Sequence, residues 1–246
     1  MQEYRMFRHF PFLLLFLLVL VSGNILAQND ELAYTEELVY GVNFNTNAGL
    51  FGGVAFKWAR SKGEKQYHGF GIELVNVKHP KEYRRPAETG NTFIEYKKNY
   101  LFSFRPSYLR EWVLFRKAAE EGVHINFIAG GGPSLGILKK YFVLYRESND
   151  PRSTYFSVPY TEDLEVGRIN GNSSFSEGFN QLRISPGVHA RAAISFEFGQ
   201  IKNSVAGLET GFVVEQFSRK QEILAFAENR SFFTSFYLTL YFGKKY

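Results

Sequence analysis

Leu182-Arg183-Ile184-Ser185-Pro186-Gly187-Val188-His189-Ala190-Arg191-Ala192-Ala193-Ile194-Ser195-Phe196-Glu197 is the stretch that decides the fold. Leu182, Ile184, Val188, Ala190, Ala192, Ile194 and Phe196 fall on one side. Arg183, Ser185, Gly187, His189, Arg191, Ser195 and Glu197 fall on the other. A period of two is the signature of a β-strand, whose successive side chains leave opposite faces. One face is greasy and the other carries charges and small residues. Strands of a membrane barrel alternate in this way, apolar toward lipid and polar toward the lumen.

The same test, worked outward from this strand (about 179–198), finds seven more. The first is expected over Leu38–Thr46, with Tyr40, Val42 and Phe44 opposite Gly41, Asn43 and Asn45. The second covers Leu50–Arg60 and the third Tyr67–Lys78. A long fourth strand spans Phe93–Leu114 and a long fifth Val123–Tyr145. Ser204–Phe217 and Ser231–Gly243 complete the set. The links about 61–66, 116–122 and 199–203 are short. Those about 79–92, 146–178 and 218–230 are longer and polar, and 146–178 is rich in turn formers. Short turns on one side and long loops on the other fit a barrel whose N-terminus lies in the periplasm. The short link after the first strand is the exception. The fold expected is all-β: an antiparallel up-and-down transmembrane β-barrel of about eight strands.

Ahead of it, Met1–Ala27 reads as a signal peptide. Arg5 and Arg8 precede an apolar run, Phe10–Val21, too short to span a bilayer as a helix. Cleavage after Ala27 leaves a barrel domain of 28–246 with Gln28 first; an uncleaved anchor helix is the alternative. The 246 residues include no cysteine, which excludes a disulfide framework, a thiolate zinc site and a lipoprotein anchor. The formal charge of +5 is dispersed in mixed sign, without the basic block of a nucleic-acid-binding arm. Aromatic residues make up 17%, as the girdles of a membrane barrel require.

A closed sheet satisfies its own hydrogen bonds inside a bilayer, and with eight strands the lumen fills with side chains. The charges expected inside are Lys57, Glu73, Arg105, Glu111, Arg183, Arg191, Glu197, Glu209 and Glu215. Four positive against five negative predicts interior ion pairs rather than a selective pore. Gly130-Gly131-Gly132-Pro133-Ser134-Leu135-Gly136 lacks the Lys-Ser/Thr of a phosphate-binding loop and reads as a tight barrel wall. His124 and His189, with Ser134 or Ser185, are the residues a hydrolase site would use, but no family motif surrounds them. No histidine spacing suggests a metal, and no cofactor is expected. Asp150, Glu162, Asp163 and Glu165 read as a solvated loop in preference to a calcium site. Lys78-His79-Pro80-Lys81-Glu82-Tyr83-Arg84-Arg85 reads either as a mixed-charge loop or as a contact for lipopolysaccharide phosphates.

The chain resembles small outer-membrane β-barrel proteins of Bacteroidota, porin-like in outline. The resemblance rests on Ala27-Gln28, Gly52-Gly53, Asn76-Val77-Lys78-His79-Pro80-Lys81-Glu82, Gly132-Pro133-Ser134-Leu135-Gly136 and the terminal Tyr237-Leu238-Thr239-Leu240-Tyr241-Phe242-Gly243-Lys244-Lys245-Tyr246. It implies an outer-membrane location, contact with lipid and lipopolysaccharide, and passage through the barrel-assembly machinery. One departure is that alternation stops near Phe242, short of the terminal aromatic Tyr246. The functions it leaves open are a non-enzymatic surface barrel acting through its external loops, an accessory of a secretion system, a lipid or peptide hydrolase, and a narrow channel.

Overall fold

The computed structural model describes residues 35–63, 65–115, 123–148, 150, 153–198 and 204–246. The expected signal peptide and the expected turns at 116–122 and 199–203 lie outside them. In chain order the strands are β1 (Glu36–Asn45), β2 (Gly49–Ser61), β3 (Gln66–Val77), β4 (Arg84–Pro86), β5 (Thr92–Ile94), β6 (Asn99–Phe115) and β7 (His124–Lys140). They continue with β8 (Phe142–Tyr145), β9 (Phe156–Pro159), β10 (Ile169–Asn172), β11 (Arg183–Glu197), β12 (Ser204–Phe217) and β13 (Phe232–Lys245). Eight of them, β1, β2, β3, β6, β7, β11, β12 and β13, close an antiparallel barrel in which each pairs with the next. β13 returns to β1, where Thr35 N donates to Tyr246 O and Tyr246 N to Glu36 O, both at 2.8 Å.

Closure has a defined stagger. Glu36 lies opposite Arg60, then His68, Arg110, Ala129, Ala192, Phe212 and Phe236 on successive strands. Phe236 O accepts from Thr46 N, so one circuit returns to β1 ten residues along, at Thr46 rather than Glu36. A shear of ten over eight strands tilts them by about 40° and leaves a lumen only wide enough for side chains.

The alternation maps onto the two faces as expected. Tyr40, Phe56, Phe70, Ile72, Val188, Phe212 and Phe242 point outward and are exposed; Asn43, Lys57, Glu73, Arg105, Ser195 and Glu215 point inward and are buried. Links on the side of the termini are short (62–65, 116–123, 198–203). On the other side 78–98, 141–182 and 218–231 are long and 46–48 is short.

Several boundaries differ from the sequence expectation. The sixth barrel strand starts at Arg183 rather than near Phe179, because Phe179–Gln181 form a 3-10 turn. The fourth barrel strand starts at Asn99, not Phe93, because Phe93 and Ile94 belong to the separate β4–β5 hairpin. The fifth ends at Lys140. Tyr141 N still donates to Lys98 O beside β6, but Tyr141 O accepts from Tyr160 N, so the backbone passes from the barrel to another sheet at this residue. That sheet, β10–β8–β9, occupies part of the stretch expected to be irregular loop. Finally, β13 runs to Lys245, beyond Gly243. A lumen accepts lysine where a soluble core does not, so the polar ending was no stop signal.

Candidate functional site

The lumen gathers the charged residues into two sets. The first is a ladder. Arg105 holds Glu215 through Nη2 and Nε, at 2.7 and 3.1 Å. Its Nη1 lies 3.8 Å from Glu73, whose other oxygen is 2.6 Å from Arg191 Nη1. Arg191 also binds Glu209, which accepts from the Tyr237 hydroxyl at 2.6 Å. Ser103 donates to Glu215. Each guanidinium thus serves two carboxylates, as its planar fork allows and a lysine's point charge does not. A layer of Leu109, Ile128, Ala193, Val213 and Tyr237 packs inside the same barrel.

The second set is a ring at the end that holds the termini. Lys57 Nζ lies 3.2 Å from Glu37 and 3.0 Å from Glu111. Asn126 Nδ2 donates to Glu111 at 2.6 Å and to Glu197 at 3.2 Å. Lys245 binds Glu197 and lies 3.7 Å from Glu37, closing the circuit. The carboxylate oxygens of Glu37, Glu111 and Glu197 come within 4.8 Å of one another, a spacing a metal ion accepts. Lys57 and Lys245 already supply the positive charge between them.

Eight of the nine charges expected inside are therefore there: Lys57, Glu111 and Glu197 in the ring, Glu73, Arg105, Arg191, Glu209 and Glu215 in the ladder. Arg183 is a correction. Its strand begins at this residue, so its side chain clears the barrel mouth, stays 56% exposed and lies 3.7 Å from Glu222. Glu37 and Lys245 are the members that sequence reasoning missed. Both stand one or two residues beyond the expected strand ends, and continuing the alternation by one step would have found them.

His189 occupies a different place. Its Nε2 is 2.9 Å from Ser107 Oγ on β6, and its Nδ1 is 3.0 Å from Ser134 Oγ on β7. Between these strands the paired register stops at Phe104–Leu135 and resumes at Tyr108–Gly131. By that register Pro106 faces Pro133, and neither can donate to the ladder. His189 stitches this seam from inside. His124 is not brought to it: it pairs with Glu197, whereas His189 pairs with Gly132, roughly 26 Å further along β7 at 3.3 Å per residue. Ser185 is also elsewhere, accepting from Gln221 Nε2 at 2.9 Å.

Gln221 belongs to the link expected to be merely polar. The link instead enters the barrel mouth. Ile223 and Leu224 pack with Val77, Leu101, Leu138 and Phe217 as an apolar plug above the ladder. Ile223 O accepts from Lys98 N and Asn99 N, and Asn229 Oδ1 accepts from Ile223 N at 2.9 Å. The tight glycine-rich wall makes room: a methyl on Gly136 would stand 2.8 Å from the Phe217 ring.

Beyond the plug the long loops form a cap with its own core of Phe93, Ile94, Tyr141, Val143, Tyr160 and Ile169. The Tyr141 hydroxyl accepts from Ile94 N at 2.8 Å and donates to Asn172 Oδ1. Burial raises its pKa above the ordinary value. Lys97, fully buried, donates to Glu82 Oε1 at 2.7 Å, and burial lowers its pKa. At the rim, Lys139 sits among Tyr100, Phe175 and Phe179, with ring centroids 5.2, 4.5 and 5.2 Å away, and donates to Glu177 O. The segment Lys78–Arg85 lies beside this cap, with Glu82 committed to Lys97. The sequence matches no model of a known protein family and no curated protein.

Proposed function

We propose that the chain is an outer-membrane β-barrel that spans the bilayer and acts, without catalysis, as a structural or interaction protein through its cap. One observation carries this: the polarity of the barrel is inverted. Large apolar residues such as Phe70, Val188 and Phe212 are about 60% exposed on the outer face of the sheet, while six carboxylates and three cations are buried inside. A soluble barrel has the opposite arrangement, and an exposed apolar belt of this extent marks a surface that water does not meet. Closure of the sheet supports the same reading, since a sheet crosses lipid only without edges.

A paired lumen under an apolar plug supports a non-conducting barrel, and Ser134 and His189 serve the seam between β6 and β7 rather than a site open to substrate. The cap is the surface offered to partners, be they lipopolysaccharide, a surface protein or a component of a secretion system. Expression of the full chain, separation of inner and outer membranes, and electrophoresis in detergent with and without boiling test the location. The expected result is an outer-membrane protein whose unboiled form migrates faster. A protein recovered soluble, with one mobility, overturns the proposal.

A further inference from the structure

The outer face of β2, β3 and β6 carries two adjacent cross-strand rows. In one, Trp58 pairs with Phe70 and Phe70 with Tyr108, with ring centroids 6.3 and 5.6 Å apart. Two residues closer to the end with the termini, Arg60 pairs with His68 and His68 with Arg110. His68 Nδ1 also bonds the Tyr108 hydroxyl, which joins the rows. Two guanidinium groups thus stand on one outer face, on either side of an imidazole. Among the described residues, Arg60 has an acidic neighbour, Glu36 at 3.7 Å, and both are well exposed. Among the described residues Arg110 has no carboxylate partner.

The barrel's stagger turns this row into a track. Each step from β1 toward β6 climbs about 3 Å along the barrel axis. Arg60 therefore stands at the rim and Arg110 deeper, flanked on the outer face by Phe70, Tyr108 and Trp112 and across β7 by Phe127. A cation within an apolar belt is a candidate site by default, because it must draw an anion or water to itself.

Given the membrane-spanning reading above, we propose that Arg60, His68 and Arg110 bind the phosphate of an anionic glycerophospholipid in the leaflet facing the termini. The neighbouring rings pack on its glycerol and upper acyl chains. The occupant is a lipid because the row opens sideways onto the apolar belt. Its charge is negative because the row offers donors, and among the described residues the carboxylate beside it is Glu36, already next to Arg60.

The chain holds two tryptophans, Trp58 and Trp112, and both flank the track. The full-length barrel is refolded into phosphatidylcholine vesicles containing brominated phosphatidylglycerol or, separately, brominated phosphatidylcholine. Tryptophan quenching by the anionic lipid should show at least about a three-fold preference over the zwitterionic one. The preference should vanish in Arg60→Gln/Arg110→Gln and survive in Arg60→Lys/Arg110→Lys, with all three proteins retaining the unboiled gel shift. Equal quenching by the two lipids, or a preference that persists in the glutamine variant, overturns the site. So does loss of the preference on adding inorganic phosphate, which assigns the row to a free anion. No quenching by either lipid, with no gel shift, instead removes the membrane-spanning reading beneath it.

Discussion

The barrel and its cap partition the same amino acids in opposite ways. Inside the barrel, Arg105, Arg191, Lys57 and six glutamates are buried, and Phe, Val and Ile face out. In the cap, Phe93, Ile94, Val143 and Ile169 are buried, and the charges of Arg85, Glu95, Lys98 and Glu162 pair at the surface. The switch falls at Tyr141, where the backbone leaves one sheet for the other. A cap with an apolar core is built for water on its outside. A barrel with an ion-paired core is built for something apolar on its outside. The contrast supports the proposed membrane-spanning reading, with a boundary near the level of Tyr100, Lys139 and Tyr141.

The strongest way to break this comparison is to spoil the charged core. Arg191→Met leaves Glu73 and Glu209 buried without their shared cation, and a broken buried pair costs about 3–5 kcal/mol. The urea midpoint of the folded barrel, followed by loss of the unboiled band, should fall sharply. Glu73→Gln/Arg191→Met/Glu209→Gln should recover much of it, because no charge is left alone. A silent Arg191→Met variant removes the ladder from any role in stability.

Phe93→Ala applies the corresponding test to the cap, at about 3 kcal/mol for a fully buried ring. Proteolysis within 141–182 should accelerate while the barrel keeps its gel shift. Joint loss of both units denies that they are distinct cores.

A smaller effect sharpens the boundary. Tyr141→Phe removes the donor to Asn172 and leaves Ile94 N–H buried, for about 1–2 kcal/mol in the cap alone. The wild-type cap should also weaken in alkali. The Tyr141 phenol keeps its proton in the folded cap above the ordinary value of 10.0, whereas the unfolded chain releases it there. Its contribution is complete below about pH 10 and is lost as pH rises toward the raised value. Amide exchange of β8 against pH should show this slope in the wild type and a reduced one in Tyr141→Phe.

How much was legible divides along the same boundary. Within the barrel, alternation named the inward residues of β6, β11, β12 and β13 almost without error, down to Tyr237 and Tyr241. It fails at ends: Arg183, expected inward, is the first residue of its strand and clears the mouth, and Glu37 and Lys245 lie just past the expected ends of theirs. In the cap, the Phe93–Ile94 pair was absorbed into a barrel strand, and β9 and β10 were hidden in a segment rich in Ser, Asn and Gly. Ile223 and Leu224 sat in a polar link with no period to betray that they plug the mouth.

The sequence by itself determined an all-β chain of about eight barrel strands and which side chains share a face, because a period of two is a local property of an extended chain; closure at eight came from the tertiary structure. It also set the contrast of short and long links, since link length is counted directly. Only the tertiary structure decided which charges meet. The ladder, the ring, the His189 stitch across Pro106 and Pro133, and the diagonal of Arg60, His68 and Arg110 all depend on register and shear. Those are fixed by eight strands pairing at once around a closed circuit, and no single strand contains that information.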